Sequence, residues 1–269
     1  HELMLFCRGL WDAHLTAGEA TLSIGRPRAE IPALVDGLVL QNGGTIGYAH
    51  PGSVKSWTGM LLLVSVDAGV SQIWDVTQTK GLLVNLERSQ ESVERRLGRV
   101  NEILGLPEER GLLAIHRRGA GLADVIEQVA RTVEKEKVGF VLLDSLSRAG
   151  VGDLTDNQPA NQAMDMLNSL GCAWWAIAHS GWEDKHEFGS MMFRAAADVT
   201  VRIETEELRS EDKTGVMLKV MKANDLPYGP LRPLAYEFDR YGLKGVREAL
   251  PYEFPKLAEQ LNQPSLKGR

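Results

Sequence analysis

Short apolar runs alternate with helix-patterned stretches along the middle of this chain, and that alternation restricts the fold more than any other feature. Gly44 to Ala49 reads as a strand and Lys55 to Ala68 as a helix. Gly81 to Glu87, Gly111 to His116, Val138 to Asp144 and Cys172 to His179 read as further strands. Between them, Gln90 to Leu104, Leu122 to Lys135 and Asn161 to Leu170 read as amphipathic helices, with apolar residues recurring every three or four positions. Strands separated by helices are βαβ units, which pair in parallel and bury both faces of a central sheet. The unbroken apolar run before Asp144 fits such a doubly covered strand.

The pattern changes after His179. Val199 to Glu204 and Val216 to Met221 read as strands flanking a charged hairpin turn, and Leu234 to Phe238 reads as another. These predict antiparallel strands added to the C-terminal side of a mostly parallel sheet. Phe254 to Gln260 predicts a short helix, and Thr16 to Arg28 an extended lead-in segment.

Composition narrows the function classes. The chain has 269 residues, 43% of them hydrophobic and 25% charged, with a formal net charge of −6. That is enough apolar material for a large core. The acidic balance disfavours a protein that coats nucleic acid through bulk charge. No apolar run approaches the ~20 residues of a membrane span. The two cysteines, Cys7 and Cys172, make neither a disulfide framework nor a zinc quartet. Without a secretory signal, a cytoplasmic setting is the expectation. The chain begins at His1, as a trimmed chain or a fragment would.

The segment His50-Pro51-Gly52-Ser53-Val54-Lys55-Ser56-Trp57 lies between the first strand and the first helix. A phosphate-binding loop requires that placement, because main-chain N–H groups and the helix N-terminus then face the phosphates. Lys55 would set its ammonium between the β- and γ-phosphates, and Ser56 would give its hydroxyl to Mg²⁺. Ala49 and Val54 stand where the G-x-x-x-x-G-K-[ST] pattern has glycines. If the loop demands a glycine-like conformation at position 54, valine is expected to store ~1–3 kcal/mol of strain there. The plain alternative is a turn whose Lys55 and Ser56 merely open a helix.

Polar residues at the strand ends complete the pattern. Asp144 closes an apolar strand and suits a carboxylate that holds Mg²⁺ through water and bonds Ser56. Glu87 closes another and suits a group that orients the attacking water. His179 closes the strand that follows Asp144 in the chain and suits a γ-phosphate sensor. The alternatives are a turn-capping Asp144, a solvated Glu87 paired to Arg88 or Arg95, and a structural His179.

Taken together, A-H-P-G-S-V-K-S, L-V-N-L-E-R-S followed by E-R-R-L, F-V-L-L-D-S-L-S-R, W-A-I-A-H-S, F-G-S-M-M-F-R-A-A-A-D-V and K-A-N-D resemble the RecA-like ATPases. The likeness is greatest to the plasmid- and phage-type hexameric helicases of the AAA-25/RepA group, and it runs from Pro32 to Phe238. It implies an α/β RecA-like fold over residues 31–245, between an N-terminal segment (1–30) and a C-terminal helix and tail (246–269). It implies ATP and Mg²⁺ as cofactors, a homo-oligomeric ring such as a hexamer, and single-stranded DNA as a partner. It matches Glu87 to a catalytic glutamate, Asp144 to the metal-associated aspartate and His179 to the sensor. Lys222 matches a lysine that reaches a neighbouring subunit's nucleotide. An arginine often follows two residues later, where this chain has Asn224; Arg232 is the substitute to consider. The loops from Arg148 to Pro159 and from Gly181 to Gly189 match channel-facing loops. Their acidic residues oppose a strand backbone, and Trp182 is the one aromatic there that could stack on a base. The competing expectations are a nucleotide-binding regulatory or assembly protein with weak hydrolysis, and a small-molecule phosphotransferase.

Overall fold

The computed structural model describes residues 22, 25, 31–179, 191–208, 211–224 and 233–261. The expectations for Thr16 to Arg28, Gly181 to Gly189 and Arg232 fall outside these, Leu22 and Gly25 apart. From Ile31 onward the described residues belong to one unit. A small antiparallel pair, β1 (Ala33–Val35) and β2 (Val39–Leu40), precedes the main sheet. In the main sheet lie β3 (Gly44–Ala49), β4 (Gly81–Asn85), β5 (Leu113–His116), β6 (Phe140–Asp144) and β7 (Ala173–His179). It continues through β8 (Val199–Leu208), β9 (Lys213–Ala223), β10 (Leu234–Asp239) and β11 (Gly242–Glu248). The helices are α1 (Lys55–Ala68), α2 (Gln90–Ile103), α3 (Leu122–Glu136), α4 (Asn157–Asn168), α5 (Met191–Ala196) and α6 (Pro255–Leu261).

The nine-stranded order is β11-β10-β9-β8-β3-β7-β6-β4-β5. Strands β8, β3, β7, β6, β4 and β5 run parallel. Strands β9, β10 and β11 are added antiparallel beyond β8. This is the RecA-like arrangement expected from the sequence.

The period-2 alternation of the strands splits the core into two layers. Leu83, Phe140, Leu142, Trp175 and Ile177 face α1 and α2. Val84, Val141, Leu143, Trp174 and Ala176 face α3 and α4. Helix α1 is buried nearly all round, as its run of Met60 to Val64 requires. The two tryptophans of β7 are core residues, both at most 1% exposed. Two glycines of β3 make room for them. A Cβ at Gly44 would lie 2.0 Å from the Trp174 ring, and one at Gly47 would lie 2.4 Å from the Trp175 ring. Cys172 is a buried free thiol, and burial pushes its pKa up to about 11.

Several boundaries differ from the sequence reading. Strand β4 ends at Asn85, two residues before Glu87. Helix α4 begins at Asn157 rather than Asn161, because Pro159 falls within its first turn, where proline costs no helical hydrogen bond. Strands β8 and β9 are longer than expected, and β11 has no counterpart in the sequence reading. Helix α6 buries Leu257 near Met217 and Ala235, and Phe254 just before it joins the same cluster on the sheet.

Candidate functional site at the carboxyl ends of the parallel strands

The parallel register carries the polar strand-end residues to one rim. Ala49 at the end of β3 is in register with His179 at the end of β7. Asn85 at the end of β4 is in register with Asp144 on β6 and with His116 on β5. Open parallel sheets bind their ligands at this rim.

The loop from His50 to Val54 joins β3 to α1. Gly52 has φ +85, so the left-handed backbone of the loop falls on a glycine. Val54 has φ −69 and packs against the core. The strain expected at position 54 is therefore not present: the conformational demand sits two residues earlier, where glycine meets it. Val54 offers no side-chain cap to α1, and the first turn holds no acidic residue. By contrast, α2 is capped by Ser89 and α3 by Asp124. Lys55 N donates to Ser53 O at 2.7 Å, and the next N–H groups of α1, those of Ser56 and Trp57, are left for an anion.

Lys55 is 3% exposed. Its Nζ donates to Ala49 O at 2.9 Å, to His50 O at 2.6 Å and to Ser53 Oγ at 3.4 Å. Burial lowers its pKa to about 8, against the upward pull of Asp144 and Glu87. Asp144 is buried, and that desolvation raises its pKa; Glu87 adds to the rise, while the Ser56 hydroxyl bonded to it, Arg88 and Arg96 oppose it. The Asp144–Ser145 peptide bond is cis. Trp57, the last residue of the loop segment, lies under the Arg96 guanidinium, 4.6 Å from ring centroid to Cζ. His50, Pro51 and Gly52 are exposed.

Glu87 stands just beyond β4 and still reaches the rim. Its Oε1 accepts hydrogen bonds from Ser145 Oγ and, at 3.1 Å, from Ser147 Oγ. His179 Nε2 lies 3.6 Å from the same oxygen. The His179 ring contributes most to lowering the Glu87 pKa to about 2; burial opposes it, and both serines assist. The structure thus brings Lys55, Ser56, Asp144, Glu87 and His179 together.

Lys222 lies elsewhere. It pairs with Thr200, which is in register with Ile46 near the start of β3. Its ammonium donates to Arg194 O at 2.7 Å, Ala195 O at 3.3 Å and Ala197 O at 2.5 Å. Asn224 donates to Asp198 at 3.5 Å, at the same end of the sheet. Arg148 is exposed at the end of a short 3-10 turn. Trp182, Lys185, His186 and Arg232 lie outside the described residues.

Three residues of the rim carried no sequence signal of their own. Asn85 is 1% exposed and bonds both main-chain groups of Arg88. Ser145 and Ser147 hold Glu87. The one hint was position, since each follows or ends a strand already marked by a carboxylate.

The donor set fits a magnesium nucleotide. A buried ammonium and an uncapped helix N-terminus suit phosphates, and the Ser56–Asp144 pair suits Mg²⁺. Among the described residues no group of three or more His, Cys, Asp or Glu could hold a metal by itself. Mg²⁺ on phosphates needs none, because phosphate and water oxygens fill most of its octahedron.

No curated protein matches the sequence. The AAA_25 family, described as an AAA domain, matches residues 13–185, well over half the chain. With that match and a nucleotide-type loop on a RecA-like sheet, the chain belongs to the AAA domain family of nucleotide-binding ATPases.

Proposed function

We propose that this protein binds ATP with Mg²⁺ and hydrolyses it as a RecA-like motor. In this reading it forms a ring of identical subunits, a hexamer for example, and moves along single-stranded DNA in the replication of a plasmid, phage or mobile element. The observation that carries the reading is the gathering of Lys55, Ser56, Asp144, Glu87 and His179 on one rim, on the ends of neighbouring parallel strands.

When bound, ATP would supply the phosphoryl group, and Mg²⁺ a positive charge that offsets that of the phosphate oxygens. Lys55 then exchanges its main-chain carbonyl partners for phosphate oxygens, whose charge favours the ammonium form that burial disfavours. The N–H groups of the first turn of α1 orient the same phosphates. Ser56 and Asp144 would hold the metal side, Asp144 keeping the Ser56 hydroxyl aimed. Glu87 orients water in line with the γ-phosphate. In a loose phosphoryl-transfer transition state, such alignment contributes more than proton removal. His179, 3.6 Å from Glu87 and in register with Ala49 where the loop begins, senses the γ-phosphate.

The deciding measurement is ATP turnover with and without single-stranded DNA, beside the mass of the assembly in solution. Turnover stimulated by DNA, a ring mass and its loss in Lys55→Ala support the reading. A Lys55→Ala variant as fast as the parent sinks the assigned site.

A second reading is a regulatory or assembly protein that binds nucleotide with little turnover. It is favoured by Lys222, whose ammonium is engaged within its own chain, and by Asn224 where a trans-acting arginine is expected. Tight ATP binding with negligible turnover, even with DNA, selects it.

A further inference from the structure

We propose that Ser145 and Ser147 are positioning residues that clamp Glu87 by one carboxylate oxygen and thereby present the other to the reacting water. This rests on the ATPase reading of the site. The observation is the asymmetry of the carboxylate. Ser145 Oγ and Ser147 Oγ both reach Oε1, and the two hydroxyls are 2.6 Å from each other. His179 Nε2 approaches the same Oε1. Among the described residues no donor reaches Oε2.

A carboxylate held at one oxygen by two hydroxyls loses rotational freedom about its last torsion. Its free oxygen is then aimed by the serines and not by solvent. Ser145 is itself placed by β6, being fully buried directly after Asp144. The clamp therefore ties the water-orienting group to the strand that carries the metal-side carboxylate. His179 first, and then the two serines, lower the Glu87 pKa to about 2 against its burial. An ionised, weakly basic carboxylate orients water well and accepts its proton poorly. Ser147 is exposed and donates to Oε1 at 3.1 Å, so it is the adjustable half of the clamp.

The test uses the full chain with Ser147→Ala, Ser147→Thr, Ser145→Ala and the double alanine variant. Thermal melting and circular dichroism report whether the buried Ser145 variant stays folded; Ser147, being exposed, provides a variant that does not depend on that outcome. The Glu87 carboxyl is titrated by carbon NMR, with the other charged groups near it, Lys55, Asp144 and His179, left intact. We expect the Glu87 midpoint to rise by about one pH unit in the double variant. We expect kcat to fall between about 10-fold and about 100-fold at unchanged KM, with its acid limb moved to higher pH, and Ser147→Thr to restore the Ser147→Ala loss. An unmoved midpoint overturns the clamp. A moved midpoint with unchanged kcat overturns its role in positioning. A parent that turns over no ATP refutes the functional reading and with it the use of the clamp, while the titration still reads the clamp itself, so the two failures are distinct.

Discussion

Asn85 grips both main-chain polar groups of Arg88: its Nδ2 donates to Arg88 O at 2.8 Å, and its Oδ1 accepts from Arg88 N at 3.0 Å. Glu87 sits inside that closed turn. Asn85→Ala removes both bonds from a buried position and is expected to cost about 2 kcal/mol, read by chemical denaturation. Turnover should fall further than nucleotide affinity, because the loosened turn carries Glu87 and not the phosphate loop. Equal loss of both would show that the turn supports the whole site.

The loop lysine predicts a pH dependence. Its folded pKa is lowered to about 8 from 10.5, so between those values the unfolded chain holds a proton that the folded one has lost. Stability without nucleotide should therefore rise with pH across that window and should not do so in Lys55→Met. Phosphate binding needs the ammonium, so above pH 8 binding takes up a proton. Affinity should then fall, by at most about tenfold per pH unit. Calorimetry in buffers of different ionisation enthalpy measures that uptake directly.

Position 54 and position 52 should respond in opposite senses to what the loop pattern alone suggests. Val54→Gly relieves no left-handed strain and loses apolar contact and chain stiffness, at a cost of about 1 kcal/mol. Gly52→Ala meets nothing within 4 Å, so its penalty, again about 1 kcal/mol or more, is conformational, from φ +85. Melting temperatures of the two variants check this; a stabilised Val54→Gly protein would contradict it.

Burial raises the Asp144 pKa, and the nearby Glu87 charge adds to the rise. Asp144→Asn keeps an acceptor for Ser56 and removes the charge. At pH values above the raised pKa the nucleotide-free protein should gain about 1 kcal/mol, and Mg²⁺-dependent turnover should be lost. The gain should shrink as pH falls through the raised pKa of the parent, where the parent's own carboxyl is neutral. Denaturation at two pH values with a turnover assay checks both halves.

Much of the fold was legible because β3, β4, β6 and β7 are covered on both faces, which forces apolar runs. Strand β11 was not, since only Leu243 and Val246 of it are buried and its glycines and charges mask any alternation. Within the site, Lys55, Ser56, Asp144 and His179 stood at strand or helix ends where chemistry types are readable. Asn85 and the two serines were not readable, because a side chain that bonds main chain or a neighbouring carboxylate leaves no periodic trace. The valine at 54 misled for a related reason: a letter pattern locates a glycine by position, whereas the backbone requires it by φ, and Gly52 answers that need.

Lys222 has three N–H donors, and three carbonyls at the end of α5 face them. Its ammonium is in effect the C-terminal stopper of that helix. Recruiting it to any other molecule is consequently a contest with a helix end, won only as the last turn of α5 loosens. The short helix would then register, as a change in its own winding, whether that lysine has been called away.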